Sequence, residues 1–292
     1  MSAPSTLRVG FIGLGNMGAP MARRLIDQGF TVRAFDANGD VTRSFGAAAA
    51  TSAADAAAGA DIIVTMLPNG AIVREAIAAA GELPSGTIVL DMSSADAAGT
   101  VRLGRELAER GIALVDSPVS GGVGLAAEGR LALMVGADDE AAVERVRPLL
   151  DALGARMIRT GALGTGHAAK AINNAIAAAN IAIAAEGLVI AERFGLAPET
   201  LLDVVNSSTG RSGVSETIFK TQVLTGAYNQ GFALALMAKD VGLAGDLARD
   251  LGLTLPQLRA TEDGWNAARD ALAAGADFTA YHQHIKAANA SG

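Results

Sequence analysis

Two hundred and ninety-two residues leave room for one large domain or two ordinary ones, and with half of them hydrophobic and 18% charged a disordered chain is excluded. A net charge of −7 argues against a nucleic-acid partner, which would want a basic face. The complete lack of cysteine excludes disulfides, thiolate metal sites and thiol nucleophiles.

In chain order, strand-like runs at Leu7–Gly13, Thr31–Phe35, Asp61–Leu67, Thr87–Asp91 and Ile112–Asp116 are short, apolar and bounded by turn residues. Helix-like stretches at Met17–Gln28, Ala71–Ala80 and Asp96–Arg110 lie between them. Such alternation predicts an α/β fold with a doubly wound parallel sheet. Two further strands, Leu131–Val135 and Arg156–Arg159, flank a helix at Asp139–Leu153 and are expected to extend the sheet.

From Gly164 the strand-like runs stop. Ala168 to Phe194 reads as one long helix, with Gly195 as its stop, and Pro198 restarts a helix where a missing donor does no harm. Further helices are expected at about 233–251, 256–274 and 278–286. The expected organisation is an α/β domain over 1–163 and an all-helical domain over 164–292, joined by the long helix. The most apolar run, Ala175 to Ala191, carries Asn180 and Glu186, whereas a span needs about 18–20 nearly uncharged residues, so no transmembrane helix is expected. The chain opens without a basic and then apolar segment, so no export signal is expected and the protein reads as cytoplasmic.

Gly13-Leu14-Gly15-Asn16-Met17-Gly18 follows a predicted strand and opens a predicted helix. In that context the first glycine permits the turn, the second lets backbone approach a pyrophosphate, and the third allows close helix–strand packing. Asp36, at the end of the second strand, stands where the ribose hydroxyls would be. A carboxylate there accepts from a 2′-hydroxyl and repels a 2′-phosphate, so NAD is expected over NADP. Arg33 and Arg43 are the two side chains that could reverse this preference.

Four ordered blocks then make the chain resemble the β-hydroxyacid dehydrogenase family, of the 3-hydroxyisobutyrate dehydrogenase type and within the wider 6-phosphogluconate dehydrogenase superfamily. They are Gly13 to Ala22, Asp116-Ser117-Pro118-Val119-Ser120-Gly121-Gly122, Gly164-Thr165-Gly166 leading through Lys170 to Asn173-Asn174, and Met237-Ala238-Lys239-Asp240. The resemblance covers nearly the whole chain. It implies a Rossmann-type domain followed by a helical one, hydride exchange between a nicotinamide cofactor and the hydroxyl-bearing carbon of a small 3-hydroxy acid, and Lys170 as general acid/base. Asn174 lies one helical turn beyond Lys170 and can hold an ammonium without neutralising it. The resemblance places the substrate carboxylate at Ser120, Gly121 and Gly122, and cofactor contacts at Leu67, Pro68, Ser94 and Lys239. Phe232, just upstream of that last block, is expected to line the pocket, and Arg211 to pair with a second polar group of the substrate or with a surface carboxylate. Ser94 stands where threonine is usual in the family, and Ile72 where a polar side chain is frequent.

His282 and His284 are two apart and lack an acidic cluster, so no metal is expected. His167 is expected to be structural or solvated, and Trp265 and Tyr281 to pack the helical domain. Alternatives within the superfamily are an imine reductase, against which Lys170 argues, and an enzyme of tartronate semialdehyde or threonate. From another class, a non-catalytic dinucleotide sensor is disfavoured by Lys170, Ser120 and Asn174 together. A homodimer or homotetramer through the helical domain is expected.

Overall fold

Buried β-branched runs become strands because both faces of the sheet are covered by helices. The computed structural model describes residues 7–290, so the expectation about an export signal lies partly outside the described residues. The chain divides into two compact units after Lys170. In the first, the strands are β1 (Arg8–Ile12), β2 (Thr31–Phe35), β3 (Ile62–Thr65), β4 (Ile88–Asp91), β5 (Ala113–Asp116), β6 (Val119–Ser120), β7 (Leu131–Gly136) and β8 (Gly154–Gly161). The helices are α1 (Gly18–Asp27), α2 (Gly39–Arg43), α3 (Ala53–Ala57), α4 (Gly70–Ala79), α5 (Ala97–Ala108), α6 (Gly122–Glu128) and α7 (Glu140–Leu153).

The sheet order is β2-β1-β3-β4-β5-β7-β6, with β8 on β7. Strands β2 through β5 are mutually parallel. The expected extension of the sheet is made by β7, which runs antiparallel to β5 and β6, and by β8, which runs parallel to β7. The reversal follows from β6, a two-residue strand that meets β7 as its antiparallel neighbour with α6 as the only element between them. Alternate residues of the strands point to opposite faces. Phe11, Val64 and Leu90 join Met21, Leu25 and Val143 on one face, while Ile12, Ile63 and Val89 join Ile77 and Leu103 on the other.

Helix α8 (Thr165–Phe194) leaves the sheet unit and continues into the second, helical unit. It starts three residues before the expected Ala168, for a reason that lies in the site. The helical unit adds α9 (Pro198–Asn206), α10 (Leu234–Asp250), α11 (Pro256–Ala271) and α12 (Tyr281–Ala288). Between α9 and α10, Val214–Val223 forms a wide π-type helix, closed by Leu224 N donating to Phe219 O. By length and composition alone α8 is, among the described residues, one helix apolar enough to cross a membrane. One face of α8, Ala178, Ile181, Ala185 and Leu188, is nevertheless buried in the helical core with Phe219, Val241 and Trp265.

Trp265 anchors that core. It is fully buried, stacks on Tyr281 with ring centroids 4.6 Å apart, and donates Nε1–H to Ala178 O at 3.2 Å. Trp265→Ala should lower the stability of the helical unit by about 3–5 kcal/mol, measured as a shift of the urea transition followed by far-ultraviolet circular dichroism.

Candidate active site

Strand register aligns one row across five parallel strands: Phe35, Ile12, Thr65, Asp91 and Asp116. The residues that follow this row therefore emerge together at the carboxyl edge of the sheet. They include Asp36, the Gly13 turn, the Leu67-Pro68 loop, Ser93-Ser94 and Ser117. The order reverses between β1 and β3, and ligands of open α/β sheets bind outside the carboxyl ends at such a switch point.

The glycine turn fits a dinucleotide. Gly13 has φ +100°, and a side chain there would collide with the Met66 carbonyl. A Cβ on Gly18 would collide with the Gly13 carbonyl, so α1 can start against β1 only with glycine. Gly15 faces open space, and Gly15 and Asn16 are exposed with Met17 half-buried, leaving the turn's backbone approachable. The Leu14 side chain is buried in the core, so its possible contact with a ligand is limited to backbone. Its N–H donates to Asp36 Oδ2 at 2.6 Å, and Asn38 N–H donates to Oδ1 at 2.7 Å. Asp36 thus braces the glycine turn from the end of β2. Both basic side chains that could offset it have acidic partners: Arg33 bonds Asp55 at 2.7 Å, and Arg43 pairs with Asp40.

A layer of buried polar groups supports the same edge. Asp91 Oδ1 accepts from Thr65 Oγ1 at 2.9 Å and from Ser93 N at 3.0 Å, and Ser93 Oγ accepts from Leu67 N at 2.9 Å. This fixes the turn carrying Leu67 and Pro68 beside the half-buried Ser94. On the next strand, Asp116 Oδ1 accepts from Gly164 N at 2.7 Å and Oδ2 from His167 N at 2.8 Å. Two N–H groups that a helix start leaves without intrahelical partners are satisfied from outside, which lets α8 begin at Thr165. Burial pushes the Asp116 carboxyl up, against the pull of His167 and the two backbone donors.

His167 is fully buried, with Nδ1 2.8 Å from Thr100 Oγ1 and Nε2 3.8 Å from Asp91 Oδ2. It belongs to the supporting layer. Lys170 follows it by three residues, half-buried, at the end of the α8 segment that packs with the sheet unit. Ser120 lies in β6, opposite Ala132, and Gly121 and Gly122 lead into α6.

In the helical unit Asn174 is buried. Its Nδ2 donates to Asp240 Oδ2 at 2.6 Å and its Oδ1 accepts from Asn173 Nδ2 at 3.1 Å. Asp240 Oδ1 in turn lies 3.0 Å from Lys239 Nζ. Phe232 packs edge-on against Phe278, and Arg211 is an exposed partner of Glu216 at 3.4 Å. His282 is buried beside the Tyr228 hydroxyl, and burial pushes its titration down. Among the described residues no three metal-ligating side chains gather to hold an ion.

The residues that sequence reasoning missed are Thr65, Asp91, Ser93, Asp116 and Asp240. Their one local signal was an acid closing an apolar strand at Asp91 and Asp116, and an acid beside Lys239. Register and helix packing supply the partners, and these are not encoded locally.

Residues 8–162 match a family model described as the NAD binding domain of 6-phosphogluconate dehydrogenase, and residues 164–285 one described as NAD-binding of NADP-dependent 3-hydroxyisobutyrate dehydrogenase. The chain is similar to 2-(hydroxymethyl)glutarate dehydrogenase of Eubacterium barkeri, 40% identical over 258 residues that cover 86% of this chain and 85% of that protein. It is 39% identical over 261 residues to the mitochondrial 3-hydroxyisobutyrate dehydrogenase of Homo sapiens, covering 85% of this chain and 77% of that one. Among solved structures, the 3-hydroxyisobutyrate dehydrogenase of Mycobacterium tuberculosis with L-serine superposes with a TM-score of 0.90 at 33% identity, over 97% of this chain and 100% of that one.

Asp116→Asn replaces a double acceptor by a group with one acceptor oxygen and an N–H₂ facing a donor. The variant should lose about 1–3 kcal/mol of stability for the donor left without a partner, read as a lowered urea midpoint.

Proposed function

Because the chain belongs to the β-hydroxyacid dehydrogenase family of NAD(P)-dependent oxidoreductases acting on a hydroxyl group, we propose that it is a cytoplasmic homo-oligomer that oxidises a 3-hydroxy acid bearing a primary alcohol. The observation that carries this reading is the alignment of the glycine turn, Asp36 and the buried Asp91–Asp116 layer at one sheet edge, with Lys170 on the helix that Asp116 holds. In this reading residues 1–163 form the dinucleotide-binding domain and 164–292 the helical substrate and oligomerisation domain. The substrates or ligands named for the three similar proteins share the group HO–CH₂–CH(R)–COO⁻: 2-(hydroxymethyl)glutarate, 3-hydroxyisobutyrate and L-serine. They differ in R, so the reacting end is common to them.

The dinucleotide's pyrophosphate is assigned to the backbone of Gly13, Leu14, Gly15, Asn16, Met17 and Gly18, and its adenosine ribose to Asp36. Leu67, Pro68, Ser94, Phe232 and Lys239 are assigned further contacts with the cofactor. A nicotinamide cofactor held there would supply the hydride acceptor for the carbon bearing the hydroxyl. Ser120 and the backbone of Gly121 and Gly122 hold the substrate carboxylate, which orients the alcohol. Lys170 Nζ takes the hydroxyl proton as the C–O bond becomes a carbonyl, and it returns that proton in the reductive direction. Asn174 steadies this end of α8 and is itself oriented by Asp240. Arg211 suits a substrate whose R group carries a second carboxylate, since its present partner Glu216 is exposed and 3.4 Å away.

Asp36 selects NAD. With Arg33 and Arg43 already paired to acids, a 2′-phosphate would face its carboxylate without a cation. Asp36→Ala should narrow the ratio of NADP to NAD dissociation constants by about 10-fold or more, measured by fluorescence titration; a wild-type preference for NADP would reverse the assignment.

The activity reading is tested by oxidation of 3-hydroxy acids with NAD, followed by cofactor absorbance. The free acids should be turned over and their methyl esters poorly. Lys170→Ala should lower kcat by about 10²–10⁴ while the NAD dissociation constant stays within experimental error. Wild-type turnover in that variant would assign the proton to another group.

A further inference from the structure

The segment that leads into α10 has little core of its own to rest on: residues 225–231 are exposed at every position but Tyr228. Its backbone is nevertheless held in an unusual course. Apart from glycines, Tyr228 is the one residue with a positive φ among those described, at +45°, and Gly231 follows at +92°. A bulky residue in the left-handed region costs energy and persists only where its surroundings hold it there.

The holds come from two sides. Upstream, the Gln222 carbonyl accepts from Tyr228 N at 3.4 Å and Gln222 Oε1 accepts from Asn229 N at 2.8 Å. Downstream, the partners belong to the stretch 276–282, far along the chain. Asp277 Oδ2 accepts from Gly231 N at 2.8 Å and from Phe232 N at 3.3 Å. Its Oδ1 accepts from Thr279 N at 3.0 Å and from Thr279 Oγ1 at 2.5 Å. One carboxylate thus ties the segment to the 3-10 turn Phe278–Ala280. Phe232 O accepts from Phe278 N at 2.9 Å, Ala276 O accepts from Leu234 N at 2.8 Å, and Ala233 bridges Asp277 antiparallel. The Tyr228 hydroxyl lies 3.0 Å from His282 Nδ1.

Both backbone polar groups of Phe232 are therefore taken up by Asp277 and Phe278, and its ring stands edge-on to Phe278 with centroids 5.9 Å apart. Phe232 stays half-buried, so part of the ring is open to a ligand. We propose that Asp277 is a positioning residue for the cofactor, fixing the Phe232 ring through its bonds to the Gly231 and Phe232 amides. The proposal rests on the assignment of Phe232 to the cofactor and extends it to a residue that touches no ligand. A carboxylate suits the task because its bonds to N–H donors are charge-assisted and each oxygen accepts more than one of them. Without it an exposed segment would have to be ordered when the ligand arrives, and that entropy is subtracted from affinity. The effect belongs in cofactor binding, with the chemical step left alone.

Asp277→Ala should weaken NAD binding about 10-fold in fluorescence titration, with kcat at saturating NAD within about twofold of wild type. Asp277→Asn keeps one acceptor oxygen and should weaken binding by less. Phe232→Ala alone should also weaken binding about 10-fold, and adding Asp277→Ala to it should change the constant by less than about twofold, because the ring it positions is gone. In hydrogen exchange read by mass spectrometry, Asp277→Ala should speed the amides of residues 229–233, while those of α8 and α11 keep their protection. Wild-type NAD affinity in Asp277→Ala, wild-type exchange at 229–233, or a double variant weakened about 100-fold as the product of the singles overturns the positioning role and leaves Phe232 in the site. Phe232→Ala that binds NAD like wild type removes Phe232 from the cofactor site, and the proposal with it. If Asp277→Ala does not fold, Asp277→Asn, alone and combined with Phe232→Ala, decides by the same comparison.

Discussion

Asp116 accepts two backbone N–H groups from the start of α8, and the position of Lys170 depends on that pair of hydrogen bonds. A helix start exposes donors that must be satisfied, and here a carboxylate from a neighbouring strand does it in place of a local cap. Burial opposes the charge on Asp116, while the two donors and His167 favour it. Removing one partner from such an arrangement costs more than the bond itself contributes, because the other is left buried and unpaired. The join between sheet and helix is therefore specific: α8 cannot slide by one residue without losing both bonds.

The same logic runs along the sheet edge. Asp91 holds Thr65 and Ser93, Ser93 holds the Leu67 backbone, and His167 fills the space between Asp91, Asp116 and Thr100. Register places these groups in one row, so their hydrogen bonds brace successive loops at a single level of the sheet. Asp36 does the equivalent work for the glycine turn, with one oxygen on Leu14 N and the other on Asn38 N. Ligand-binding loops held this way need little ordering when a ligand arrives, which lowers the entropic cost of binding. The sheet edge that carries the glycine turn is thus braced by three carboxylates, Asp36, Asp91 and Asp116.

Helix α8 connects this edge to the helical unit and has a different demand at each stage. Its first turns are set by Asp116, its middle is packed around Trp265 and Phe219, and its opposite flank exposes Ile176, Ile183 and Ile190.

The strands from β1 to β5, the helices α1, α4, α5 and α7, and the length of α8 were legible in the sequence to within a few residues. Each rests on periodicity and turn chemistry confined to a short window. The glycine turn and Asp36 were legible for the same reason, because strand, turn, helix and second strand follow one another without interruption. The reversed β7, the short α6 after Ser120, the π-type helix at Val214–Val223 and the early start of α8 were not. Each depends on hydrogen bonds or packing between residues distant in sequence, as Asp116 is from Gly164. The sequence by itself determined the family, the fold class and which side chains could do chemistry, since these are written in residue types and spacing. Tertiary structure decided which of those side chains are supports, burying His167 between two carboxylates and setting Asp240 against Asn174, because only long-range packing determines whether a polar group meets water or another chain segment.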